Sequence, residues 1–234
     1  MKHIVLLSFS GNAGKTTLAR NLFAPRIEGA LLASVESINA DGKEDITLRG
    51  KQFSELLDVV ALNDAGVIVD VGASNVEDWL QRLAQTRRSH QLFDAFVVPV
   101  MPGAKQTRDA IATIDALAEI GVPAEKVLVI LNGLEATETA ASAFAPLLAY
   151  VKDTQRGRIV QAQVNDSEIY GRLAATGQTI GQVLAQRFED LQQARKDAAS
   201  PEQRLAAMRA LSLHGMAESA QHELDAVWHR LVNA

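Results

Sequence analysis

An apolar run, Ile4-Val5-Leu6-Leu7, leads through Ser10-Gly11-Asn12-Ala13-Gly14-Lys15-Thr16-Thr17 into the helix-like Leu18-Ala19-Arg20-Asn21-Leu22, and no other stretch limits the fold so tightly. A strand that turns on glycines straight into a helix start aims several backbone N–H groups and a positive dipole end at one point. That geometry suits a polyphosphate. Gly11, Asn12, Ala13, Gly14 and Thr17 form the expected cradle, with Lys15 reaching the outer phosphates and the Thr16 hydroxyl holding Mg²⁺. The pattern Gly-x-x-x-x-Gly-Lys-Ser/Thr departs at its first position, where Phe9 stands in place of glycine. A bulky residue there limits how the chain leaves the strand, and Asn12 is the non-glycine residue best suited to a left-handed conformation in the loop.

Further apolar, β-branched-rich runs recur at Leu31 to Val35, Val67 to Val71, Phe93 to Val100, Val127 to Leu131 and Ile159 to Val164. Amphipathic stretches at 15–23, 51–62, 75–88, 103–120, 138–152, 166–175 and 178–197 separate or follow them. Strands alternating with helices imply parallel pairing, and near-continuous apolar strands such as Ala95-Phe96-Val97-Val98 are expected where helices cover both sheet faces. The fold class is therefore α/β: a mainly parallel sheet with helices on both faces, plus a helical C-terminal extension. We divide the chain into a nucleotide-binding domain over 1–180 and an extension over 181–234. Beyond residue 178 no strand-like run appears, and Ser200-Pro201-Glu202 offers a break and a new helix start. Leu224, Val227, Trp228, Leu231 and Val232 share one helix face, which predicts packing onto the parent domain, with self-association as the sharper alternative.

With 234 residues, 47% of them hydrophobic, the chain fills a real core and is not disordered. The absence of cysteine excludes disulfides and thiolate chemistry, and no apolar run reaches the ~20 residues that span a bilayer. A cytoplasmic protein without a membrane partner is the expectation. A net charge of −5 argues against a basic nucleic-acid clamp, so direct nonspecific DNA binding is expected to be weak. The basic candidates are Arg156-Gly157-Arg158 with Arg172, and Arg195-Lys196.

Val67-Ile68-Val69-Asp70-Val71-Gly72-Ala73 is an apolar strand closing on an acid and a glycine, the form of a Walker B segment. Nucleotide-bound magnesium keeps several waters, so an Asp70 at the end of a neighbouring strand suits its water shell, opposite Thr16. Gly72 would let the backbone approach a γ-phosphate. Glu36, after the second strand, opens a polar switch-like segment running to about residue 50 and is the candidate for orienting an attacking water or contacting the metal. Lys15, Glu36 and Asp70 are thus the catalytic candidates. Asn132, at the end of another strand, offers donor and acceptor together, which suits a purine edge, although an Asn-Gly turn explains it as well. Asn165 is a weaker analogue, and Lys105 a minor phosphate candidate. The scattered His3, His90, His214, His222 and His229 make no metal spacing.

Together, the loop with its doubled Thr16-Thr17, the Asp70 segment, the Pro99 to Pro102 exit, Asn132 and the Val164-Asn165-Asp166 to Gly177-Gln178-Thr179-Ile180 pattern resemble the ParA/MinD group of P-loop ATPases over about residues 1–185. Within it, the loop and Ala19-Arg20-Asn21-Leu22-Phe23-Ala24-Pro25-Arg26 look most like the plasmid-stability ATPases of the StbB kind from conjugative plasmids. The resemblance implies ATP with magnesium, nucleotide-dependent homodimers, a DNA-binding adaptor protein as partner, and a role in positioning plasmids or other cargo. The group usually carries an extra lysine at the second loop position, where this chain has Ser10. Weak ATP hydrolysis is therefore expected, or a substitute cation among Lys43, Arg49 and Lys51. The readings left beside it are a small-molecule kinase or ligase of the dethiobiotin synthetase type and a nucleotide-binding scaffold that does not hydrolyse.

Overall fold

The computed structural model describes residues 1–36, 46–48 and 52–233; of 46–48 only the backbone is considered. The polar stretch after Glu36, with Lys43, Arg49 and Lys51, lies outside the described residues apart from that short strand.

In chain order the elements are β1 (His3–Leu6), α1 (Lys15–Leu18), β2 (Leu31–Val35), β3 (Ile46–Leu48), α2 (Phe53–Leu62), β4 (Val67–Val71) and α3 (Val76–Gln85). They continue with β5 (Ala95–Val100), α4 (Ala104–Ile120), β6 (Val127–Leu134), α5 (Ala140–Ala143), α6 (Ala145–Thr154) and β7 (Arg158–Asn165). The chain closes with α7 (Glu168–Thr176), α8 (Ile180–Leu184), α9 (Phe188–Lys196) and α10 (Pro201–Val232). The strands form a single sheet in the order β3-β2-β4-β1-β5-β6-β7, and every pairing is parallel. The expected fold class is the observed one.

Strand periodicity explains the layering. Val5 and Leu7, Val67, Val69 and Val71, and Phe96, Val98 and Val100 point to one face, where α2, α3, α4 and α6 pack. Their neighbours Ile4 and Leu6, Ile68, and Ala95 and Val97 point to the other, under α1, α7, α8 and α10. A side-chain period of two turns each unbroken apolar run into two half-cores.

Three details differ from the sequence reading. The short strand β3 adds a seventh strand at the edge beside β2, within a stretch read as polar loop. The helix after the glycine loop keeps α-geometry only to Leu18 and then widens into a π-helical turn over Ala19–Phe23. The stretch read as a helix over 178–197 is broken into α8 and α9, and the Gln186 carbonyl in the break faces His214 Nε2 of α10 at 3.0 Å.

The last helix lies on the sheet. Leu224, Val227 and Leu231 are buried against the second half-core, with Ala217 and Ala220, and the Trp228 ring meets Phe23 edge-on at 6.3 Å. Val232 is exposed. No helix among the described residues is long and apolar enough to cross a membrane.

Candidate functional site

The strand order reverses beside β1, and open parallel sheets bind ligands at the carboxyl ends of strands around such a point. The loop after β1 and the ends of β2 and β4 meet there in a cavity of about 630 Å³. Gly11, Asn12, Gly14, Lys15, Thr16 and Thr17 line one side, and Glu36, Asp70, Gly72 and Ala73 the other.

Left-handed geometry in the loop falls on Gly14, at φ 87°, which caps α1, and not on Asn12 as the sequence suggested. The reason is a second strand end. Asn132 Nδ2 donates to the Ala13 carbonyl at 2.9 Å and lies 2.1 Å from where a Gly14 Cβ would stand. A side chain at position 14 is forbidden both by the backbone angle and by this amide. Asn132 therefore braces the loop, and its Nδ2 is already engaged there. Phe9 escapes the restriction predicted for it because its ring packs partly buried against the first half-core while its N–H donates to Thr113 Oγ1 at 3.2 Å.

Lys15 is only 4% exposed. Its Nζ donates to the Ser10 carbonyl at 2.9 Å and reaches the Ser8 carbonyl at 3.5 Å, so the loop holds the ammonium inside its own curve. Burial lowers the Lys15 pKa, while the nearby Asp70 and Glu36 carboxylates pull the other way. Thr16 Oγ1 donates to Asp70 Oδ2 at 2.5 Å, joining the loop to the end of β4. Thr16 and Asp70 make an oxygen-only pair beside the cradle, the hard donor chemistry that Mg²⁺ takes together with water and phosphate. Among the described residues no larger cluster of metal-ligating side chains occurs.

Ser10 is buried, with its N–H on Ser8 Oγ at 3.2 Å and its carbonyl on Lys15. Lys15 is the cation lining this cavity among the described residues. Lys105 lies outside the cavity lining and pairs with Asp109 at 3.0 Å. Asn165 is turned to the last helix, its N and Nδ2 donating to Glu223 at 2.9 and 2.8 Å. Of the suggested basic candidates, Arg156 pairs with Asp115 at 2.5 Å and Arg172 with Glu168 at 3.0 Å. Tyr170 and Gly171 of α7 also line the cavity and were missed in the sequence. Nothing local marks them, because only the return of α7 across the sheet brings them there.

No family model and no curated protein matches this chain. Solved structures of similar fold do. MinD from Aquifex aeolicus in its cell-division complex with MinC is 15% identical at TM-score 0.57, over 100% of this chain and 97% of its own. A structure described as a plasmid partition protein from Borrelia burgdorferi B31 bound to AMPPNP is 12% identical at TM-score 0.51, over 91% of this chain and 97% of its own. The septum site-determining protein MinD from Pyrococcus horikoshii, complexed with Mg-ADP, is 13% identical at TM-score 0.50, over 95% and 93%. The arrangement of strands and helices is thus one that nucleotide-bound MinD-type proteins also use.

Proposed function

We propose that this chain is a ParA/MinD-like ATPase that works as a Mg·ATP-dependent switch. The observation that carries the reading is the convergence of Lys15, Thr16 and Asp70, from the loop after β1 and the end of β4, on one cavity. Lys15 serves as the anchor for the outer phosphates. Gly11, Asn12, Ala13, Gly14 and Thr17 hold the chain of phosphates through the loop. Thr16 and Asp70 hold the magnesium, which when bound neutralises charge on the phosphate oxygens. Glu36 orients water, and catalysis is positioning plus charge stabilisation.

Turnover is proposed to be slow. Ser10 is buried where the resembled group carries a lysine, and trans cations of the arginine-finger kind contribute ~10³–10⁵ in rate. A role in plasmid stability or partition, of the StbB kind, through nucleotide-dependent homodimers and a DNA-binding adaptor, completes the reading. The MinD relative solved with MinC and the partition protein bound to AMPPNP support this direction.

Calorimetric titration with Mg·ATP tests the core of it. Binding to the wild type that is lost in Lys15→Ala is the expected result. No heat with any magnesium nucleoside triphosphate at millimolar concentration would overturn the proposal. Light scattering with and without Mg·AMPPNP tests the dimer, and a monomer under both conditions would remove that part.

A further inference from the structure

The ends of β2 and β4 meet at one carbonyl. Val35 O accepts the Gly72 N–H at 3.0 Å and also Asn75 Nδ2 at 3.2 Å. Asn75 is 6% exposed, its own N–H donates to the Gly72 carbonyl at 2.8 Å, and Nδ2 lies 3.3 Å from Ser74 Oγ. A Cβ placed on Gly72 would meet Glu36 Oε1 at 3.2 Å, Val35 O at 3.2 Å and Asn75 Nδ2 at 3.4 Å. Three groups from two strand ends therefore close on the one residue that carries no side chain. Gly72 and Glu36 line the phosphate cavity, whereas Asn75 stands behind them and does not.

We propose that Asn75 sets the discrimination between nucleoside triphosphate and diphosphate, by holding the Val35 carbonyl when the Gly72 N–H leaves it for a γ-phosphate oxygen. The inference rests on the nucleotide reading above. A carbonyl oxygen has two lone pairs, and here both have donors. Val35 is 2% exposed, so water cannot replace a donor that departs. With Asn75 in place, the Gly72 N–H exchanges one acceptor for another and the buried carbonyl stays bonded. Without it, the same move leaves a buried acceptor bare, which opposes the move. A diphosphate has no third phosphate to draw the N–H away, so Asn75 is then a spare donor. Asn75 is a positioning residue, and its effect appears in one nucleotide state only.

Calorimetric titration of wild type and Asn75→Ala with Mg·AMPPNP and with Mg·ADP reads this directly. AMPPNP affinity is expected to fall about tenfold with ADP affinity nearly unchanged, the size of one bared buried carbonyl. Asn75→Leu keeps the volume without the donor and gives the same result if the alanine variant unfolds. Gly72→Ala pushes a methyl between Val35 O and Glu36 and should show the same bias. An unchanged ratio of the two affinities, or equal losses of both, overturns the role of Asn75 and leaves the nucleotide reading standing. A wild type that binds neither nucleotide overturns both.

Discussion

The two half-cores are held by different physics. Under α2, α3 and α4, Trp79 sits among Phe53, Phe93 and Phe96 with ring centroids 5.9, 6.1 and 6.3 Å away, and Phe93 meets Phe96 at 5.7 Å. Aromatic area dominates there, and offset or edge-on rings add to it. The other half-core is mainly aliphatic, with Phe23 and Trp228 as its aromatic pair, and is crossed by polar ties. Asn21 in the π-helical turn donates Nδ2 to the Thr17 carbonyl at 3.0 Å and accepts the Ile180 N–H at 2.9 Å. Arg26 donates to the Asn21 and Leu22 carbonyls at 3.0 and 2.9 Å and pairs with Asp225 of α10. Glu223 of α10 takes the backbone and side-chain amides of Asn165 at the end of β7.

Hydrophobic contact is non-directional, so the aromatic side supplies cohesion without fixing orientation finely. Hydrogen bonds fix orientation, and these tie the helix after the glycine loop to the last quarter of the chain. The widened turn is what makes room for them. It leaves carbonyls that Asn21 and Arg26 collect, and both side chains answer to the C-terminal helices. The comparison teaches that both faces bury a large apolar core, while the long-range polar ties from the helix after the glycine loop run to the C-terminal helices on one of them.

The largest test is Trp79→Ala, expected to cost about 3–5 kcal/mol in urea unfolding while leaving Mg·ATP affinity nearly unchanged. A matching fall in affinity would break the distinction between the faces. Leu224→Ala, on the other side, should cost about 2–5 kcal/mol by cavity formation, and hydrogen exchange should loosen at α1 as well as at α10. Exchange confined to α10 would show that the polar ties do not transmit. Asn21→Ala leaves the buried Ile180 N–H without its partner and should cost only about 1–3 kcal/mol, yet weaken Mg·ATP several-fold, the reverse of Trp79→Ala.

The smallest effect concerns Lys15. Burial lowers its folded-state pKa, so the folded protein favours the neutral amine more than the unfolded chain does. Keeping it protonated therefore costs stability below the folded-state pKa, and that cost is relieved as pH rises through that value toward the unfolded one. Lys15→Met removes the cost and is expected to raise the nucleotide-free melting temperature at pH 7, with the gain shrinking as pH rises. A melting temperature that falls at pH 7 would mean that the Ser8 and Ser10 carbonyls hold the ammonium more tightly than its burial opposes it.

Much of this could be read in the chain beforehand because it is local. The strands Leu31–Val35 and Val67–Val71 coincide with their apolar runs, and the stripe of Leu224, Val227 and Leu231 is buried as its spacing implied. The glycine turn into Lys15-Thr16 and the acid at Asp70 each announce themselves within about eight residues. What stayed illegible depends on distant partners. The left-handed residue at 14 answers to Asn132, the π-helical turn to Ile180 and Asp225, and the wall at Tyr170 to the path of α7.

Sequence alone settled the layered parallel architecture, since near-continuous apolar runs alternating with amphipathic stretches fit a parallel sheet covered by helices on both faces. It also marked the glycine turn into Lys15 and Thr16, because backbone sterics and charge act over a few residues. Tertiary structure decided which strand ends meet, which amide braces the loop and where the last helix lies. Those choices rest on hydrogen bonds between residues 119, 159 and 199 positions apart, and a bond of that reach has no signature in the residues that flank it.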